Sequence, residues 1–130
     1  MAHAASHPIH LLCADDHTLV GEALVKVFST AGYRVEHADD GESAWEKVSQ
    51  NPARFQVVIT DHAMPRLDGL GLVQRLRRAN FPGRIIVYTD KISADEDVAY
   101  RALAVDAIVA QGPDSAKLLA VVEAFHAGGS

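Results

Sequence analysis

Two unbroken runs of branched apolar residues, Val57-Val58-Ile59 and Ile85-Ile86-Val87, restrict what this chain can become more than any other feature. A strand with one wet face alternates apolar and polar side chains. These runs do not alternate, so each strand must be covered on both faces. Three further short apolar runs, Ile9–Ala14, Tyr33–His37 and Asp106–Ala110, join them as Phe55–Thr60 and Arg84–Thr89 to give five predicted strands. Helical stripes lie between and after them: Leu19, Ala23, Leu24, Val27 and Phe28; a weaker Ala44, Trp45 and Val48; Gly69, Leu72, Val73 and Leu76; Val98, Ala102 and Leu103; Leu118, Val122 and Phe125. Strict alternation of strand and helix predicts an α/β fold, a five-stranded parallel sheet with right-handed crossovers and five helices on both faces.

The punctuation fits that order. Asp39-Asp40-Gly41, Asp68-Gly69 and Ser93-Ala94-Asp95-Glu96-Asp97 supply caps and acids where helices should start. Gly32, Asn51-Pro52, Asn80-Phe81-Pro82-Gly83 and Gly128 stand at helix stops. A length of 130 residues suits one domain. Residues 1–8 read as a flexible leader without the basic and apolar regions of a signal peptide, and residues 127–130 as a tail. Either end is compatible with a domain cut from a longer protein.

Charge and cysteine content narrow the function classes. Twelve Lys and Arg against 17 Asp and Glu leave a net charge of −5, which lacks the positive surface that drives nucleic-acid binding. No stretch approaches the ~18–20 apolar residues of a membrane span. The single cysteine, Cys13, rules out an internal disulfide framework and suits a reducing cytoplasm. It sits inside an apolar run, as a small buried residue would.

In open parallel sheets, sites form beyond the carboxyl ends of the strands. The residues in that position are Asp15 and Asp16 after the first strand, Asp61 after the third, Thr89 and Asp90 at the fourth, and Gln111 after the fifth. If the first and third strands are neighbours, three carboxylates converge in one cleft. Like charges held so close must be protonated, screened or neutralised by a cation, and an open all-oxygen cluster suits Mg²⁺. Each residue alone has a plainer reading: Asp15-Asp16 as a cap for the helix near His17, Asp61 as a loop acid, Thr89 as a strand-end residue. Among the seven histidines no pair has convincing ligand spacing, and zinc is not expected.

The segments Ala14-Asp15-Asp16-His17-Thr18-Leu19-Val20, Thr60-Asp61-His62-Ala63-Met64-Pro65-Arg66-Leu67-Asp68-Gly69 and Ile85-Ile86-Val87-Tyr88-Thr89 resemble the receiver domain of two-component response regulators. The Asp-x-x-Met-Pro-x-x-Asp-Gly run after a central strand is the most specific of the three. The resemblance extends from about Ile9 to Phe125 and places the domain at residues 9–126. It implies a flavodoxin-like sheet of order 2-1-3-4-5, and Asp61 as the acceptor of a phosphoryl group from a sensor histidine kinase or phosphotransfer protein. Asp15, Asp16, Asp61 and the Ala63 carbonyl would hold Mg²⁺, Asp15 through water, and the Thr89 hydroxyl would contact the phosphoryl group. It implies a cytoplasmic bacterial signalling domain rather than an enzyme with an external substrate. Such a domain acts through protein contacts on a downstream protein, an output domain not present here, or a second copy in a homodimer.

Three positions and one loop depart from the family pattern. Gln111 stands where the family has a lysine reaching the phosphoryl group, Asp90 where it usually has a small residue, and Ile108 where a switch aromatic lies in the fifth strand. Gln111-Gly112-Pro113 replaces the family's Lys-Pro, which puts its usual loop geometry, including a cis proline bond, in question. A phosphorylated Asp61 would bring about −1.5 to −2 charges, by analogy with other phosphoresidues, into a cleft already holding three acids. Lys91 is the nearby cation that could fold over the site in compensation. The departures therefore keep open a degenerate receiver, acting as a phosphorylation-independent interaction or dimerisation module. A flavodoxin-type cofactor binder fits poorly, since Asp15-Asp16 would repel an anionic ligand. A phosphoaspartyl hydrolase would want an acid where Ala63 stands.

Overall fold

The computed structural model describes residues 9–112 and 115–128. Five strands, β1 (His10–Ala14), β2 (Arg34–Ala38), β3 (Val57–Thr60), β4 (Arg84–Thr89) and β5 (Ala107–Ala110), alternate with five helices. These are α1 (Thr18–Thr30), α2 (Gly41–Gln50), α3 (Gly69–Arg78), α4 (Ala94–Ala102) and α5 (Ala116–Gly128). All pairings are parallel and the sheet order is β2-β1-β3-β4-β5, the predicted 2-1-3-4-5.

The unalternating runs are buried as the pattern requires: Val57, Val58, Ile59, Ile85, Ile86 and Val87 are each at most 4% exposed. Alternate side chains feed two cores. Leu11, Cys13, Ile59, Ile86 and Val109 pack with Leu24 and Phe28 of α1 and Leu118 and Val122 of α5. Leu12, Val58, Ile85 and Val87 pack on the other face with Val48 of α2, Leu72, Val73 and Leu76 of α3, and Tyr100 of α4.

Helix starts carry the caps foreseen for them. Asp40 accepts the Ser43 N–H, Asp68 accepts the Gly71 N–H, and Ser93 forms a reciprocal capping box with Glu96. Arg75, Arg77 and Arg78 close α3 against its dipole. After α1 the chain turns through Gly32 at φ +99°, a left-handed conformation in which a Cβ would be strained.

Boundaries differ locally from the sequence reading. β3 begins at Val57 rather than Phe55, since its ladder with β1 starts at the Leu11–Val57 pair; the Phe55 ring is buried against His10, with ring centroids 4.8 Å apart. β2 is one residue later at both ends, and α5 continues through Gly128 into the segment expected as tail. The leader, residues 1–8, and Pro113 with its peptide bond lie outside the described residues. Among the described residues no helix is long and apolar enough to cross a membrane.

Candidate functional site

Parallel register sets the site. Ala14 of β1 pairs with both Ala38 and Thr60, and Thr60 pairs with Val87, so the central strands reach the same end of the sheet together. The Asp15 N–H then donates to the Ala38 carbonyl at 3.0 Å and the Asp61 N–H to the Ala14 carbonyl at 2.9 Å. Asp15, Asp16, His17 and Asp61 thus each present a donor atom to one cluster, all within 4.8 Å of one another.

The acids differ in surroundings. Asp15 is 2% and Asp61 6% exposed, whereas Asp16 faces solvent. Burial raises the pKa of both Asp15 and Asp61 above the usual carboxylate value. For Asp61 the neighbouring Asp15 charge adds to the rise, while the His62 N–H and the Thr89 hydroxyl oppose it. The His62 N–H donates to Asp61 Oδ1 at 2.7 Å and so fixes the carboxylate's rotation. Thr89, 5% exposed at the end of β4, completes the wall beside it.

Asp15 does not act as a simple helix cap. The N-cap of α1 is His17, which makes no side-chain capping bond; instead the His17 N–H donates to Asp15 Oδ1 at 2.8 Å. The His17 ring stays exposed with Nδ1 3.3 Å from an oxygen of Asp15 and of Asp16, and 4.0 Å from Asp61 Oδ2. Asp16 first, then Asp15, raise the His17 pKa. From behind, His37 Nε2 lies 2.8 Å from the Asp15 carbonyl; since a carbonyl only accepts, this nitrogen is the donor. That ring occupies the space over Gly21, where a Cβ would come within 2.3 Å of it.

The departures from the family pattern have definite placements. Gln111 turns its amide onto β4, Nε2 donating to the Tyr88 carbonyl at 3.1 Å, so no cation or donor reaches the acids from that position. Ile108 is half-buried against the α2–α4 core. Asp90 and Lys91 are exposed, and Lys91 forms no hydrogen bond or ion pair among the described residues, the acids of the cleft included. Ala63 is exposed on the loop after Asp61. That loop is anchored by Met64 in the core and by Arg66, at φ +69°, which pairs with the α2 cap Asp40. Cys13 is buried, its thiol pushed up to about 12 chiefly by burial, as an inert core residue should be.

Sequence reasoning passed over His17, His37 and the partners of His62. His17 was legible from its place directly after Asp15-Asp16. The His62 ring engages α4, with Nδ1 2.7 Å from Tyr100 Oη and Nε2 2.9 Å from Glu96 Oε2, contacts spanning 38 and 34 residues. No local pattern announces a contact at that range.

A cleft with two buried, protonation-prone carboxylates, a third at its mouth and only oxygen donors besides one imidazole fits a hard divalent cation. Comparison with known proteins points the same way. Residues 11–123 match the sequence model of the response regulator receiver domain. Response regulator MprA of Mycobacterium sp. (strain KMS) is 39% identical over 92 residues, 71% of this chain and 39% of that protein. The chain thus spans about two fifths of such relatives. A response regulator receiver protein from Pseudomonas putida superposes with a TM-score of 0.82 at 28% identity, covering 92% of this chain and 99% of that one. TrrA from Thermotoga maritima, solved in complex with Mg²⁺-BeF, gives 0.79 at 25% identity over 89% and 97% of the two chains. With its fold, its acid-lined strand ends and the match over nearly its whole described length, the chain belongs to the response regulator receiver domain family.

Proposed function

We propose that this domain accepts a phosphoryl group on Asp61 from a phosphohistidine of a sensor kinase or phosphotransfer protein, and signals in the cytoplasm through protein contacts. The observation that carries the reading is the convergence of buried Asp15 and Asp61 with Asp16, beside the Thr89 hydroxyl. Asp15, Asp16, Asp61 and the Ala63 carbonyl would hold Mg²⁺, which supplies positive charge to the phosphoryl oxygens when bound. The chain's own part is positioning. The His62 N–H orients Asp61 so that one carboxylate oxygen attacks phosphorus in line; the O–P bond forms as the P–N bond to the donor imidazole breaks, and that imidazole leaves with the electron pair. Thr89 then offers its hydroxyl to a phosphoryl oxygen.

The test is incubation with Mg²⁺ and acetyl phosphate followed by intact mass. A single phosphoryl adduct is expected on the parent and none on Asp61→Asn. A second reading, a receiver that works without phosphorylation, is favoured by one observation, the Gln111 amide turned away onto Tyr88. Absence of any adduct, from acetyl phosphate and from a cognate kinase, would favour it over the first.

The same turned-away amide makes a graded prediction. A charge-assisted bond is roughly twice as strong as a neutral one, and Gln111 delivers neither to the cleft. Gln111→Lys is therefore expected to raise adduct yield several-fold at limiting acetyl phosphate. Lys91→Ala, at an exposed side chain without partners among the described residues, is expected to leave yield and lifetime unchanged. Equal yields for the parent and Gln111→Lys would mean that the cleft does not lack a cation.

A further inference from the structure

We propose that His62 and Tyr100 couple the state of Asp61 to α4, taking the part for which Ile108 has no suitable side chain. This rests on the reading of Asp61 as the phosphoacceptor. Tyr100 is the largest fully buried side chain, 0% exposed, yet it projects from α4 with its hydroxyl 2.7 Å from His62 Nδ1. A buried phenol keeps a partner, and this one's is the residue next to Asp61.

The proton positions follow from the partners. Glu96 has its pKa lowered, first by the Ser93 N–H, so it is an ionised acceptor. His62 Nε2, 2.9 Å from Glu96 Oε2, therefore donates to that carboxylate, and Nδ1 faces the Tyr100 hydroxyl at 2.7 Å. The other Glu96 oxygen, Oε1, accepts the Ser93 N–H at 2.8 Å and closes the α4 capping box. One residue thus holds Asp61 Oδ1 by its backbone N–H, the last turn of α4 through Tyr100, and the first turn of α4 through Glu96.

The joint has no slack. Gly69 opens α3 against it, donating its N–H to the His62 carbonyl at 2.8 Å. A Cβ at Gly69 would stand 2.7 Å from Tyr100 Oη and 3.0 Å from His62 Cα. Esterifying Asp61 changes Oδ1 from a carboxylate oxygen to part of an acyl phosphate and moves negative charge onto the phosphoryl oxygens, so the His62 N–H loses its present partner's strength. The peptide must readjust, and in a tight joint the ring and Tyr100 move with it. Ile108 can make neither hydrogen bond.

The test is amide hydrogen exchange across residues 94–102, with and without Mg²⁺ and acetyl phosphate, with intact mass taken from the same samples. In the phosphorylated parent, α4 exchange is expected to shift several-fold. Tyr100→Phe removes only the hydroxyl, and His62→Gln retains reach to Glu96 but not to Tyr100. Tyr100→Phe is expected to form the adduct to the parent's extent, and both variants, compared per phosphorylated molecule, to show no more than about a third of the parent's α4 shift. Val98→Ala, at a 66% exposed position of the same helix, keeps the full shift. A full shift in either Tyr100→Phe or His62→Gln, or none in the phosphorylated parent, overturns the coupling while leaving Asp61 as acceptor. No adduct on the parent overturns the Asp61 reading and the coupling with it.

Discussion

Gly69→Ala is expected to lower stability by about 3 kcal/mol or more, whereas Gly71→Ala, two residues along the same helix, changes it by less than about 1 kcal/mol. Both substitutions add one methyl group to the first turns of α3, and both improve intrinsic helix propensity. What differs is the neighbour. At Gly69 the new Cβ would lie 2.2 Å from the Asp61 carbonyl oxygen and 2.7 Å from Tyr100 Oη. The first is backbone leading directly from β3, and the second belongs to a fully buried ring, so neither can retreat without moving a strand end or α4. At Gly71 the close atom is Leu67 Cδ1 at 2.5 Å, the far end of a half-buried side chain that can rotate aside. Urea denaturation of the two variants measures the contrast through their midpoints. Gly69→Ala should also lose phosphoryl adduct, since the displaced carbonyl is that of Asp61 itself. Equal midpoints would mean that the β3–α3 loop is not fixed as the structure shows it.

That contrast marks how far the sequence alone could go. The branched runs at 57–59 and 85–87 are legible because burial on both faces leaves no room for polar alternation. Asp15, Asp61 and Thr89 are legible because topology puts the ends of parallel strands at one edge of the sheet, whatever the side chains do. The same logic stops at contacts whose two halves are brought together by different crossovers. Nothing near Gln111 shows that its amide would choose the Tyr88 carbonyl over the cleft, and only the β4–β5 pairing makes that carbonyl available. Nothing near His62 indicates a tyrosine 38 residues away. His37 likewise meets the Asp15 carbonyl only because β2 lies beside β1. Lys91 shows the limit from the other side: charge balance makes a nearby cation attractive, yet an exposed lysine gains little from holding one geometry over the cleft.

Magnesium at about a hundred times its Kd is expected to stabilise the domain by about 2.7 kcal/mol near pH 8, a rise in Tm of roughly 10 °C, and that gain shrinks as pH falls toward the raised carboxylate values. The sign follows from Asp15 and Asp61. Their folded pKa values are raised by burial, and Asp61's further by Asp15, so each stabilises the metal-free fold most when protonated. That contribution is lost as pH rises through the raised values, and the metal-free domain is left holding adjacent buried charges. His17 follows the same direction at higher pH, since the neighbouring acids raise its pKa and its favourable charge disappears above the raised value. Asp40 and Glu96 have lowered values, so their contribution is lost only as pH falls below the usual carboxylate range, outside this window. A divalent cation needs the ionised acids, which makes its effect the mirror image: large where the metal-free cleft is most repulsive, small where protons already neutralise it. Thermal melts at matched ionic strength, with and without Mg²⁺, give the difference at each pH. Asp61→Asn removes one buried charge at nearly constant shape. At pH 8 it should therefore melt higher than the metal-free parent, and it should gain less than half as much from Mg²⁺. A gain that does not shrink as pH falls into the carboxylate range, or one undiminished in Asp61→Asn, would place the ion away from Asp15 and Asp61.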